Sequence, residues 1–402
     1  MLGYIRPADA SALADTVHRL LAARNDVSRD FFPREAGRLA LACREMSERF
    51  ARGGRLLAIG QGASATDAQH VAVEFVHPVI VGKRALPALD LSMAPRPLLA
   101  TLLRADDIVM GFGPPGGDAA IASVLADASA RGAQTFALPG SDGSYAVTCA
   151  AGDPFVHQEM IEILYHTLWE TVHVYLEHRG AGHDLGASSF LYPFLGDAVQ
   201  DTSRLVGDVA QSICAKAEAV ERLRDEVVRR EATAVVGAAL AMHERIVSGG
   251  TLFFFGNGGS ATDANDWALD CVMPPKPGPS LPAVSLASDA ATLTAIANDV
   301  GRDAIFLRQL IAHARPADVA VAISTSGGSA NVIAALEEAR RRGMLTIALL
   351  GYDGGEIVRR GLADVPIVVR SDYIPRIQEV QASVYHVIVD LLHQLRPEAA
   401  AA

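Results

Sequence analysis

Apolar positions along the chain follow two alternating patterns. Short unbroken apolar runs recur at LLAIG (Leu56–Gly60), DIVMGFG (Asp107–Gly113), AQTFALP (Ala133–Pro139), TLFFFG (Thr251–Gly256), PAVSLA (Pro282–Ala287), DVAVAIS (Asp318–Ser324), MLTIALLG (Met344–Gly351) and DVPIVV (Asp364–Val369). Runs this short, several ended by glycine, predict buried strands. Between them lie stretches with helical spacing, such as GSANVIAALEEARRRG (Gly328–Gly343). Strand, turn, helix and strand in succession predict α/β architecture, with mostly parallel sheets covered by helices on both faces. Two longer amphipathic stretches, Phe155–Arg179 and Arg376–Leu395, predict a closing helix for each half.

The pattern occurs twice. GQGASATDAQHVAVE (Gly60–Glu74) and GNGGSATDANDWALD (Gly256–Asp270) agree at eight of fifteen positions. Each is preceded by a helical stretch, a Gly-Gly pair and an apolar run. Gly60 matches Gly256 at an offset of 196, whereas His166 matches His386 at 220, so the second copy holds 24 more residues between these points. The extra material falls mainly around Thr294–Pro316. Gly180–Gly196 is glycine-rich and breaks the pattern, which predicts two domains, 1–185 and 186–402.

Composition narrows the partners. Of 402 residues, 50% are hydrophobic and 20% charged, as expected of a chain with a sizeable core. The net charge of −11 and the lack of a basic cluster argue against nucleic acid. Four widely spaced cysteines suggest neither a disulfide scaffold nor a zinc knuckle. No apolar run approaches membrane-spanning length, and no signal core opens the chain, so a cytoplasmic protein is expected.

Candidate chemistry gathers at three places. ISTSGGSANVIAAL (Ile323–Leu336) follows a strand and opens a helix. It offers the hydroxyls of Ser324, Thr325, Ser326 and Ser329 beside Gly327 and Gly328. Hydroxyls, a close-turning backbone and a helix N-terminus suit a phosphate monoester; a serine-rich capped turn without a ligand is the plain alternative. The first copy reads MGFGPPGGDAAIASVL there, and its prolines and Asp118 argue against phosphate. On the signature helix, His70 and Glu74 are four apart and share a face, and Gln158 and His166 lie on one face of the closing helix. Such groups suit proton transfer or a divalent metal. The second copy has Asp266, Asp270, Gln378 and His386 instead, a harder and more anionic set. His173, His178 and His183 read as part of a polar face.

These motifs together resemble the sugar-isomerase (SIS) domains of phosphoheptose isomerases. GNGGSATDA, SLASD…TAIANDVGRDAIF, ISTSGGSANVI and RIQEVQASVYHVI follow that family almost in order, and the first half keeps GQGASATDAQHVAVE and HQEMIEILYHT. The resemblance covers about Phe32–Leu176 and Arg222–Leu395. It implies two tandem SIS domains, each an αβα sandwich, and aldose–ketose isomerisation of sedoheptulose 7-phosphate through an enediolate, with no nucleotide or redox cofactor. It further implies acid/base roles for Glu74 with His166 or His386, with Asp270 in the altered copy. Zinc is implied at His70, Glu74, Gln158 and His166, and substrate contacts at Asn257, Asp299, Gln378, Ser324, Thr325, Ser326 and Ser329. The first copy keeps the His/Glu chemistry and the second keeps the phosphate loop, so a composite site divided between the copies is expected. A non-catalytic phosphosugar sensor or assembly protein is the alternative. Because the family assembles four domains, a homodimer of this chain is expected.

Overall fold

The computed structural model describes residues 7–80, 83–179 and 202–395. Two compact units divide the chain: a first unit of Asp26–Glu221, and a second of Met1–Asn25 with Arg222–Ala402. The expected cut between residues 185 and 186 lies outside the described residues, as does His183.

The first repeat runs α1 (Pro7–Ala51), β1 (Leu56–Ile59), α2 (Ser64–Val76), β2 (Ala88–Asp90), α3 (Pro95–Leu102), β3 (Ile108–Phe112), α4 (Ala119–Ala130), β4 (Gln134–Leu138), β5 (Tyr145–Ala146) and α5 (Pro154–Arg179). The second runs α6 (Thr202–Val247), β6 (Leu252–Phe255), α7 (Gly259–Val272), β7 (Ala283–Ser285), α8 (Ala290–Asp299) and α9 (Ile305–His313). It continues with β8 (Val319–Ser324), α10 (Ala330–Arg341), β9 (Leu345–Gly351), α11 (Gly355–Arg359), β10 (Val365–Val369) and α12 (Ile374–Leu395). The sheets have the orders β2-β1-β3-β4-β5 and β10-β9-β8-β6-β7, which are the same order read in opposite directions. Every strand pairing in both is parallel.

Central strands such as β1, β3, β6 and β8 are buried along their whole length. Helices cover both faces, so alternation disappears and the runs read as continuously apolar. The two-residue period survives in the packing: Phe253 and Phe255 join one core cluster with Phe306 and Leu310, while Phe254 meets the Trp267 ring of α7 on the other face. Of the 24 extra residues of the second repeat, 15 fall where β7 and β8 are joined by α8, a short 3-10 turn (Arg302–Ala304) and α9, where the first repeat has only α3; the other nine fall between β9 and β10, where α11 stands and the first repeat has no helix.

The leading helices are far longer than the pattern before each Gly-Gly pair suggests, at 45 and 46 residues. Each unit therefore holds the body of one repeat and the leading segment of the other repeat's long helix. Within the second unit Asn25 donates to Asp225, and within the first Arg29 pairs with Glu221. The segment Thr202–Glu221 also carries Lys216, whose Nζ is 2.5 Å from Glu170 Oε2, both buried. Among the described residues no helix is long and apolar enough to cross a membrane.

Candidate active site

In each unit the signature helix packs against the closing helix, and polar side chains from both meet in the interior. In the first unit α2 supplies His70 and Glu74, and α5 supplies Glu162, His166 and Glu170, all buried. His70 Nε2 is 3.3 Å from His166 Nε2 and 3.9 Å from Glu74 Oε1. Burial lowers the His70 pKa well below the usual imidazole value, and nearby His166 adds to this. Burial raises the Glu74 carboxyl to about 7; His166 partly opposes that and Glu170 reinforces it. Glu74 Oε2 is buried without a hydrogen-bond partner. Gln158 is half-buried and donates from Nε2 to Asp67 Oδ2 at 3.2 Å.

The second unit builds the same meeting point from different groups. Asp266 and Asp270 of α7 face His386 of α12, with His386 Nε2 3.6 Å from Asp266 Oδ2 and 3.3 Å from Asp270 Oδ2. Tyr385, stacked on Trp267, donates its hydroxyl to Asp266 Oδ2 at 2.8 Å. Burial, then the Asp266 charge, raises Asp270 to about 7, while His386 opposes the rise. Gln378 is buried on α12, two turns before His386.

The hydroxyl-rich loop lies where β8 turns into α10. Ser324 Oγ accepts from Gly327 N at 3.1 Å, and Ser326 Oγ accepts from Gly328 N at 3.2 Å. Ser329 stands at the N-cap of α10, yet its side chain makes no capping hydrogen bond. In the first unit the equivalent cap is Asp118, whose carboxylate accepts from Ala120 N and Ile121 N at 2.8 and 3.0 Å. There a fixed anion already occupies the helix N-terminus, which leaves no place for a second one.

Ser329 opens onto a cleft of about 500 Å³, also lined by Asn257, Thr294, Arg302, Asp303 and Asn331. Its far wall is α8 and the 3-10 turn, the material that the first repeat lacks. Asp299 is exposed on the last turn of α8, accepts from Asn298 and does not line the cleft. Thr294, Arg302 and Asn331 escaped the reading of the sequence, because only the packing of α8 opposite α10 brings them to one opening. Glu162 escaped it too, although its spacing of four from both Gln158 and His166 marks the same helix face. His173, expected on a polar face, is instead buried, with ring nitrogens 2.9 and 2.8 Å from the carbonyl oxygens of Trp169 and Arg84.

Two convergent sets have the composition of metal sites: His70, Glu162 and His166 in the first unit, and Asp266, Asp270 and His386 in the second. In the first, the imidazole nitrogens stand 3.3 Å apart. That matches the edge of a tetrahedron about a zinc ion at ~2.0–2.1 Å from each nitrogen. A neutral His70 is also the form that binds metal. The donor set fits zinc.

Residues 217–351 match the family described as SIS domain. The chain is 42% identical over 178 residues to a phosphoheptose isomerase from Chlorobaculum tepidum, spanning 43% of this chain and 84% of that protein. It is 46% identical over 162 residues to one from Citrifermentans bemidjiense, spanning 40% and 83%. The C-terminal domain of glucosamine-fructose-6-phosphate aminotransferase from Francisella tularensis superposes with a TM-score of 0.54 at 10% identity, covering 94% of this chain and 96% of that one. That likeness extends the same fold across both units. The chain belongs to the phosphoheptose isomerase family of SIS-domain proteins.

Proposed function

We propose that this protein is an aldose–ketose isomerase acting on a phosphorylated sugar, with sedoheptulose 7-phosphate as the first substrate to test. The observation that carries the reading is the α10 N-terminus: the loop bearing Ser324, Thr325, Ser326 and Ser329 leads into a helix end that the Ser329 side chain leaves uncapped, beside a cleft of sugar-phosphate size. Backbone amides and the helix dipole favour a phosphate dianion there. Asn257 orients the sugar, and Gln378 and Asp299 are further substrate contacts in this reading.

The chemistry requires one base. A carboxylate removes the proton from the carbon next to the carbonyl, leaving an enediolate, and returns it to the former carbonyl carbon. The hydroxyl proton moves to the other oxygen, aided by an imidazole, so no electrons enter or leave. Glu74 with His166 or His386 is the pair assigned this work, and Asp270 is the second candidate base. When bound at the histidine pair, zinc supplies Lewis-acid polarisation of a carbonyl oxygen. The division of labour expected from the sequence assigns the phosphate loop to the second repeat and the base to the first. Two chains per assembly is the accompanying symmetry expectation, which light scattering checks.

One observation favours a second reading. The repeat that keeps the phosphate loop has Asp270 one methylene shorter than the family's glutamate, buried against His386 and Asp266. A shortfall of this order in reach costs on the order of 100-fold in rate, so a phosphosugar-binding protein without turnover is the alternative. Proton exchange in D₂O separates the two. Incubation with sedoheptulose 7-phosphate, with and without zinc, is followed by NMR at the carbon beside the carbonyl. Exchange supports the isomerase; binding without exchange supports the alternative; neither removes this substrate.

A further inference from the structure

The set that the family resemblance implies for zinc is not the set whose donor atoms meet. Gln158 turns its amide to Asp67 Oδ2, 3.2 Å away, and Glu74, although its Oε1 is 3.9 Å from His70 Nε2, does not join the convergent group around the two histidines. The donor atoms of His70, His166 and Glu162 instead all lie within 4.8 Å of one another. All three residues are at least nine-tenths buried, at 3, 1 and 4% exposure. Glu162 sits one turn before His166 on α5, so its carboxylate shares the face that meets α2.

The duplicate shows that this carboxylate is not simply part of the helix design. At the repeat offset Glu162 corresponds to Ala382, while His70 corresponds to Asp266. The second unit still makes a three-way convergence, but both its carboxylates come from the signature helix and only the imidazole from the closing helix. The negative charge has changed helices and the meeting point has been kept. Two imidazoles, their nitrogens 3.3 Å apart, with one carboxylate converging on them suit a borderline cation of the zinc class; two carboxylates and one imidazole make a harder set.

We propose that Glu162 is the third protein ligand, with His70 and His166, of a zinc-class divalent cation in the first unit, and that Glu74 stands outside the coordination set. The ion would leave a fourth position open, and Glu74 keeps its carboxylate for proton transfer. This assignment concerns metal binding and does not depend on the isomerase reading.

The test uses the full chain after chelator treatment, in a D270N background that weakens the second cluster. Co²⁺ is titrated in as a visible probe, and Zn²⁺ affinity is measured by competition with a chromophoric chelator. The expected result is one tetrahedral Co²⁺ spectrum per chain. E162A and the isosteric E162Q each lower affinity by at least ~100-fold, beyond what loss of an outer partner costs, whereas E74Q changes it less than about threefold. Circular dichroism and melting of E162Q show whether the fold is retained. Retained affinity in a folded E162Q, or a loss in E74Q as large as in E162Q, overturns the assignment. Failure of the parent chain to take up Co²⁺ also overturns it and leaves the histidines joined by a hydrogen bond alone.

Discussion

The side-chain amides of Asn257 and Asn331 hydrogen-bond to each other in both directions: Asn257 Nδ2 donates to Asn331 Oδ1 at 3.0 Å, and Asn331 Nδ2 donates to Asn257 Oδ1 at 2.8 Å. Both line the cleft beside the phosphate loop, and Asn331 Oδ1 also accepts from Val332 N. With the helix caps Asp118 and Ser329 aligned, the first repeat has Gln61 and Ala120 at these places, so both members of the pair are changed where the hydroxyls are absent. Asn331 thus sets the direction of the Asn257 amide. Losing a neutral hydrogen bond costs ~0.5–1.5 kcal/mol, so N331A should weaken sugar-phosphate binding by up to about tenfold. In a double-mutant cycle read by calorimetry, N257A/N331A should bind no more weakly than N257A alone. Additive losses would show that the two act independently.

Gly327 has no substitute in the loop. Its φ is +59°, and a Cβ there would stand 2.1 Å from the carbonyl oxygen of Gly354. At Gly328 the nearest atom to a Cβ is Ser326 Oγ, at 3.8 Å. G327A should therefore destabilise the chain by more than ~1 kcal/mol and abolish phosphate binding, while G328A keeps the melting temperature of the parent. Thermal melting and calorimetry with a sugar phosphate decide this.

The base in the reaction can be located by two variants of nearly unchanged shape. In the divided-labour reading E74Q lowers proton exchange by ~100-fold or more, the usual scale for a general base, and D270N retains most of it. The reverse pattern places the whole chemistry in the second repeat.

Arg302 presents an exposed guanidinium at the cleft wall, paired among the described residues with its neighbour Asp303 at 3.6 Å. A phosphate is a better partner for this cation. R302A should weaken sugar-phosphate binding about threefold to tenfold, and raising salt to about 0.5 M should narrow the gap because the charge is solvent-exposed. S326A should weaken binding with much less salt dependence.

His393 gives the second unit a pH-dependent contribution to stability. Burial lowers its pKa below the usual 6.5, with Lys276 acting in the same direction and Asp390 opposing. The unfolded chain then binds a proton that the folded chain resists, so stability is full above the unfolded pKa and falls as pH drops through and below it. The urea midpoint should fall more between pH 7.5 and 5.5 in the parent chain than in H393Q; equal falls would remove the assignment.

The sequence by itself determined eight of the ten strands, missing the short edge strands β2 and β5, together with the repeat, the family and the two short motifs that hold the hydroxyl loop and the His/carboxylate helices. These are written in local patterns, because a buried parallel strand must be apolar throughout and a phosphate loop needs hydroxyls and glycine within a few positions. The 24-residue surplus was legible as a number, and its larger part as α8 and α9, but the nine residues at α11 were placed only by the strand pairing. Tertiary structure alone decided which polar groups meet. Helix spacing places Gln158, Glu162 and His166 on one face, but only the packing of α5 against α2 turns Gln158 toward Asp67 and gathers Glu162 with the two histidines. It also decided that Arg302 and Asn331 share a cleft, that Asp118 fills its own helix end, and that the long leading helices divide between the compact units. Those outcomes depend on contacts between residues tens to hundreds of positions apart. Hydrophobic period and spacing specify which face a residue occupies, and not what the opposite face brings to it.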